Sequence, residues 1–175
     1  MKRTLLALVC TAIAALLPST AIAGPYEGEA VAPMEGKVAT KLATIGHGGL
    51  AVPPASAPRA VVEIIRAGNA IARTPYKYGG GHGIWRDSGY DCSGSVSYAL
   101  HGAGLLDVAL DSSGVAAFGK PGSGRWVTVM GNPGHAYMVV AGLRFDTTSS
   151  NQTGNRWTQQ MRSPAGYAVR HPEGL

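Results

Sequence analysis

The stretch Gly89 to Leu100, "GYDCSGSVSYAL", holds Cys92, the only cysteine outside an N-terminal apolar segment that contains Cys10. Such a thiol is a buried small hydrophobe, half of an intermolecular bridge, or a nucleophile. Its place favours the last. Val96, Ala99, Leu100 and Ala103 share a helical face that stops at Gly104, so a helix should start at Asp91 or Cys92. In a helix's first turn the dipole and the free N–H groups favour thiolate over thiol, and they can also receive the oxyanion of a tetrahedral intermediate. A nucleophilic thiol then needs a base. Of five histidines, His135 is best placed, opening the apolar strand "HAYMVVA" directly after the turn Gly131-Asn132-Pro133-Gly134. His82, in "GGGHG", either lines the same cleft or is a solvated loop residue.

The base in turn needs an acceptor that fixes its tautomer. If Ala141-Gly142 is a two-residue hairpin turn, Val140 pairs with Leu143 and Tyr137 with Asp146. Asp146 is then diagonal to His135 on one face, with Cα atoms roughly 7 to 8 Å apart, within carboxylate reach of an imidazole. A three-residue turn would reverse that parity and present Thr147 instead. Asp146 is the expected orienter and Thr147 the alternative.

These residues need elements to hold them. "PRAVVEIIRAGNAIAR", from Pro58, carries Val61, Val62, Ile64, Ile65 and Ile71 at helical spacing, and "TPYKYGGGHG" ends that helix in a loop. Beyond Leu110 the period changes to that of short strands, at Trp126–Met130, His135–Ala141, Leu143–Thr147 and Gly166–His171. Helices followed by consecutive short strands predict an α+β fold with a mainly antiparallel sheet.

The expected organisation has three parts. Lys2 and Arg3, an apolar run from Leu5 to Leu17, and Ala21-Ile22-Ala23 read as a signal peptide over residues 1–23, its apolar run too short to span a bilayer. Residues 24–57 are rich in Gly, Pro and Ala and read as a leader or linker with at most a short ordered piece around Val38 to Ile45, and residues 58–175 as the folded domain. The net charge of +5 falls to +3 once the two basic residues of the signal are removed, too little for a nucleic-acid ligand but suited to an anionic envelope. No His-Glu-x-x-His occurs and Cys92 has no nearby second ligand, so neither metal nor cofactor is expected. No other segment is apolar enough to cross a membrane. The protein is expected to be secreted, periplasmic or held at the cell wall of a bacterium, as a monomer.

"TPYKYGGGHG", "DSGYDCSGSVSYALHGAGLL" and "GHAYMVVAG" together resemble the NlpC-type cell-wall peptidases, papain-like cysteine hydrolases. The resemblance runs over roughly Arg59 to Thr147. It implies a papain-like fold with the cysteine at a helix start, and makes Cys92 the nucleophile, His135 the general base and acid, and Asp146 the orienter. It also implies Tyr76 as a hydroxyl assisting the oxyanion site; Tyr76 read without it is an aromatic covering the helix start, and Ser93 and His82 are expected beside the substrate from their own positions. The implied reaction is hydrolysis of an amide in peptidoglycan stem peptides, of the D-glutamyl-diaminopimelate type. The chain departs from the family twice: a Gly-Asp step before the histidine strand is replaced by "GSGRWVTVM", and the third site residue is an acid where His or another polar residue is commoner. Two other classes remain open, an envelope-binding module without catalysis and an acyl transferase or amidase using the same residues.

Overall fold

Apolar residues at helical spacing on two helices, and at alternating positions on consecutive strands, have to meet if either set is to leave water. In the computed structural model, which describes residues 42–175, they do. The elements in chain order are β1 (Thr44–Ile45), β2 (Ala51–Val52), α1 (Arg59–Ala70), α2 (Cys92–Gly102), α3 (Ser112–Ala117), β3 (Lys120–Pro121), β4 (Val127–Asn132), β5 (His135–Val140), β6 (Leu143–Phe145), α4 (Thr147–Thr153), β7 (Trp157–Thr158) and β8 (Ala168–His171). The last six strands form one sheet in the order β3-β8-β4-β5-β6-β7, and every neighbouring pair is antiparallel. α1 packs on α2, and α2 on β5. Val61, Ile64 and Ile65 of α1 and Val96, Ala99 and Leu100 of α2 are fully buried with Val127, Val129, Met138, Val140 and Phe145 of the sheet. Each large apolar side chain so buried contributes about 1.5–3 kcal/mol. The fold is α+β, helices on a mainly antiparallel sheet, as expected, with the cysteine helix against the strand that begins at His135.

The packed region starts earlier than Pro58. Residues 42–57, assigned by composition to the leader, lie on the domain: Ala51 is buried, and the Asn69 side chain bonds its N–H and its carbonyl, both at 2.9 Å. Asn155 Nδ2 donates to the Gly49 carbonyl at 2.6 Å, and the Ala43 N–H to that of Ala141 at 2.9 Å. Proline and glycine report local backbone freedom, whereas these partners lie far along the chain, so composition could not reveal them. The expected signal, residues 1–23, and residues 24–41 lie outside the described residues. No helix among the described residues is long and apolar enough to cross a membrane.

One buried cation joins the helices to the loop before Cys92. Arg156 is fully buried, and among the described residues no carboxylate is one of its hydrogen-bond partners. Its Nε donates to Ser95 Oγ at 3.0 Å, Nη1 to the carbonyls of Ile71 and Thr74 at 2.6 and 2.5 Å, and Nη2 to those of Tyr90 and Pro75 at 3.2 and 3.5 Å. Burial draws its pKa down to about 10, against a smaller opposing effect of Tyr90, so the charge persists at neutral pH. Guanidinium offers five donors in a rigid fork, and five acceptors meet it here, those of Ser95, Ile71 and Tyr90 buried and those of Thr74 and Pro75 partly so. Arg156→Lys, with three donors, should therefore lower stability by about 2 kcal/mol or more, read as a lower urea midpoint at unchanged slope.

Candidate active site

The start of α2 is built by its own residues. Asp91 caps it, Oδ1 accepting the Gly94 N–H at 2.7 Å, and Oδ2 accepts the Gly79 N–H at 3.0 Å. His82 Nε2 lies 3.0 and 3.1 Å from the two Asp91 oxygens, and Ser93 Oγ donates to Oδ1 at 3.2 Å. The Gly80 carbonyl presses on the same turn, so a Cβ at Gly94 would come within 2.1 Å of its oxygen. That close approach is why the turn reads Asp-Cys-Ser-Gly. The polar neighbours Asp91, Ser93 and Ser95 are themselves buried, contrary to what their polarity suggests, because each is hydrogen-bonded inside the turn: Ser95 Oγ donates to the Asp91 carbonyl at 2.7 Å and accepts from Arg156. Cys92 between them is partly exposed.

His135 is set by the preceding turn and by the hairpin that follows. Asn132 Oδ1 accepts the N–H groups of Gly134 and His135, each at 2.9 Å, closing the turn into β5. Ala141 and Gly142 both have positive φ, 46° and 83°, which makes the β5–β6 connection a two-residue turn of the type I′ kind. The pairing is Val140 with Leu143, Val139 with Arg144 and Met138 with Phe145. β6 stops there, so the strand is shorter than its pattern predicts, and Asp146 becomes the N-cap of α4, accepting the Thr148 N–H at 2.8 Å. The same oxygen, Oδ1, lies 2.9 Å from His135 Nε2. Thr147, the alternative orienter, opens α4, and Asp146 makes the bond to the imidazole.

Charge follows from this geometry. Burial opposes ionisation of Asp146, but the His135 hydrogen bond, the Thr148 N–H, the His135 charge and Arg162 outweigh it and hold the carboxyl at about 2. His135 is pushed the other way by burial, yet the hydrogen bonds and charges of Asp146 and Cys92 raise it to about 9. For Cys92 burial favours the thiol; hydrogen bonds from His135, Ser112 and the Ala136 N–H, with the His135 charge, bring it down to about 7. With Nε2 committed to Asp146, Nδ1 is the ring nitrogen left for the thiol. The pair can thus rest as thiolate and imidazolium near neutral pH, its two titrations belonging to both groups jointly.

A cleft of about 350 Å³ opens over the thiol, with Tyr76, Tyr78, His82, Ser93, Ser112 and Gly134 among its walls. Burial, then the charges of Cys92 and Asp91, push the Tyr76 phenol up, so it remains a proton donor there. Ser93 and His82 line the wall with their polar atoms turned to Asp91 and to each other, 3.3 Å apart. Sequence reasoning missed two residues. Ser112 Oγ lies 3.6 Å from Cys92 Sγ, at the start of α3, and Arg162 Nη1 donates to Asp146 Oδ2 at 3.1 Å. The signal for the first was present: Asp111-Ser112-Ser113-Gly114 repeats Asp91-Cys92-Ser93-Gly94, and Asp111 likewise accepts from Gly114 N–H at 2.7 Å. Among the described residues no group of three His, Cys, Asp or Glu could hold a metal ion.

Asp146→Asn removes the charge that raises His135, while the amide oxygen can still accept from Nε2. The imidazole should then titrate at least about one pH unit lower, since loss of a close opposite charge shifts a pKa by about 1–3 units. The fall is read from the His135 ring signals by NMR, and the onset of Cys92 alkylation by iodoacetamide should move to higher pH, because the thiolate loses part of the imidazolium's support.

No family model matches the chain, and no curated protein matches it. Among solved structures it is similar to the P60 domain of an antigen from M. avium subspecies paratuberculosis, at 21% identity and a TM-score of 0.46, over 63% of this chain and 93% of that one. It is also similar to a hypothetical invasion protein of Mycobacterium tuberculosis, at 21% identity and a TM-score of 0.46, over 66% of this chain and 65% of that one.

Proposed function

We propose that the protein is a cysteine peptidase of the bacterial envelope that hydrolyses amide bonds in peptidoglycan stem peptides. The observation that carries the reaction class is the bond of 2.9 Å between His135 Nε2 and a carboxylate with no exposed side-chain surface, on the far side of an imidazole whose near side interacts with the thiol. A structural histidine has no need of both. The choice of stem peptides rests on the motif resemblance around Tyr76, Cys92 and His135, and an envelope location on the signal-like pattern of residues 1–23.

In this reading the Cys92 thiolate attacks the amide carbonyl carbon, and a C–S bond forms as the carbonyl becomes an oxyanion. Free N–H groups at the start of α2 and the Tyr76 hydroxyl receive that charge. The intermediate collapses as His135 passes its Nδ1 proton to the leaving amine, which leaves a thioester on Cys92. Water then attacks the thioester, giving its proton to His135, and the acid departs as the thiolate–imidazolium pair is restored. Asp146 holds the ring with its proton on Nε2 throughout.

Cys92→Ala should keep the fold and lose release of new amines from purified cell wall; undiminished release would end this reading. For the wild type, kcat/KM should rise as pH passes the thiol's value of about 7 and fall as it passes the imidazole's of about 9, because the pair exists only between them. Muropeptides of defined sequence, with product masses measured, identify the bond, and transfer to an added amine in place of water would mark an acyl transferase.

A further inference from the structure

Asp146 offers its two oxygens to different partners. Oδ1 takes His135 Nε2 and the Thr148 N–H, at 2.9 and 2.8 Å, and Oδ2 takes Arg162 Nη1 at 3.1 Å. Arg144 Nε stands 3.5 Å from Oδ2 without forming a hydrogen bond, so it is a nearby charge without being the donor. Arg162 comes from the segment between β7 and β8, and its guanidinium is not a loose surface group. It lies over the rings of Tyr137 and Tyr167, at 5.1 and 5.4 Å, and those rings meet edge to face at 5.1 Å. Tyr167 also meets the edge of His135 at 6.4 Å, so one aromatic cluster fixes both the imidazole and the guanidinium that share Asp146. Arg162 Nη1 is also 3.4 Å from Thr148 Oγ1, tying it to the first turn of α4.

We propose that Arg162 is a positioning residue for proton transfer: by occupying Oδ2 of Asp146 it reserves Oδ1 for His135 and divides the carboxylate's charge between two cations, which eases release of the proton that His135 holds. A carboxylate buried beside a single imidazolium would bind that proton strongly, and the leaving amine would have to compete with it. With a guanidinium already on the other oxygen, the anion keeps a counter-charge after the imidazole becomes neutral. The neutral ring is left with its proton on Nε2 and a free lone pair on Nδ1, the form that can next accept a proton from water. The ionisable groups facing His135 from the surrounding elements are Cys92 on α2, Tyr137 on β5, Asp146 at the end of β6 and Tyr167 before β8; Arg144 and Arg162 act on it through Asp146. None of the other groups supplies a second hydrogen-bonding cation to Oδ2.

The use of this device rests on the peptidase reading, but its test does not, because the titration of His135 can be followed without a substrate. The His135 ring signals are titrated by NMR in the full chain carrying Cys92→Ala, which removes the thiol's own influence, and again with Arg162→Lys or Arg162→Gln added. Arg162→Gln should raise the His135 midpoint by about half to one pH unit, since a nearby like charge is lost and the carboxylate's pull is undivided. Arg162→Lys, which keeps the charge but not the planar contact with the rings, should move it by less than half as much. A merely structural arginine would lower stability in both variants and leave the midpoint in place, and that result, or a shift of equal size in both, overturns the proposal. If Arg162→Gln does not fold, Arg162→Met takes its place beside Arg162→Lys: a rise of about half to one pH unit in Met with less than half of it in Lys supports the role of the charge, and an unmoved midpoint in both, or equal shifts, contradicts it. Cell-wall hydrolysis that failed in the wild type would overturn the peptidase reading and leave these titrations standing.

Discussion

Asp146 is an anion taken wholly out of water, and a lone carboxylate in such a place costs several kcal/mol. Its surroundings remove that penalty: an imidazole and a backbone N–H on one oxygen, a guanidinium on the other and a second guanidinium close by. Each partner comes from a different piece of chain, so satisfying one charge fixes β5, β6, α4 and the β7–β8 segment relative to one another. The same residue ends β6 and caps α4, which means that the turn from strand to helix and the orientation of the imidazole are one structural event. The site is rigid for the same reason that the corner is.

The thiol side obeys a parallel logic. Asp91 and Asp111 cap two helices with the same Asp-x-x-Gly pattern, and their first residues, Cys92 and Ser112, face each other at 3.6 Å. Ser112 at the second helix start and the Ala136 N–H of β5 give the sulfur O–H and N–H partners where burial alone would keep it protonated. Arg156 then fixes the approach to α2 from below, joining the end of α1, the loop through Pro75 and the carbonyl of Tyr90. Helix packing and the placement of the Cys92 thiol thus share one buried cation, and neither the core nor the candidate site can be described without it.

How much was legible in the sequence depends on how local each cause is. α2, with Cys92 at its start, is written in its own spacing and cap. The hairpin register follows from the choice of a two-residue turn, and Gly142 can take the positive φ it needs, though Ala141 at φ 46° is a poor residue for the type I′ corner and hid the answer. Asp146 beside His135 follows from that register. Arg162 and Arg156 were invisible because their partners lie across the sheet or far along the chain, and nothing in "NRW" or "QMRS" says which guanidinium is buried. The strap of residues 42–57 was hidden behind its glycines and prolines, which describe a backbone and not its neighbours. α4 was masked by a run of Thr and Ser with weak helical preference, made helical by the cap at Asp146 and the left-handed Gly154 that ends it.

The proposed chemistry depends on a thiolate that exists near neutral pH because His135, Ser112 and the Ala136 N–H surround it. The ultraviolet absorbance of that thiolate, titrated in the wild type and corrected with Cys92→Ala, reads it directly. The absorbance should appear with a midpoint close to 7. A single transition near the ordinary thiol value of 9.0 would contradict it, since it would show that the imidazole and the N–H and O–H donors around Cys92 do not act on the sulfur.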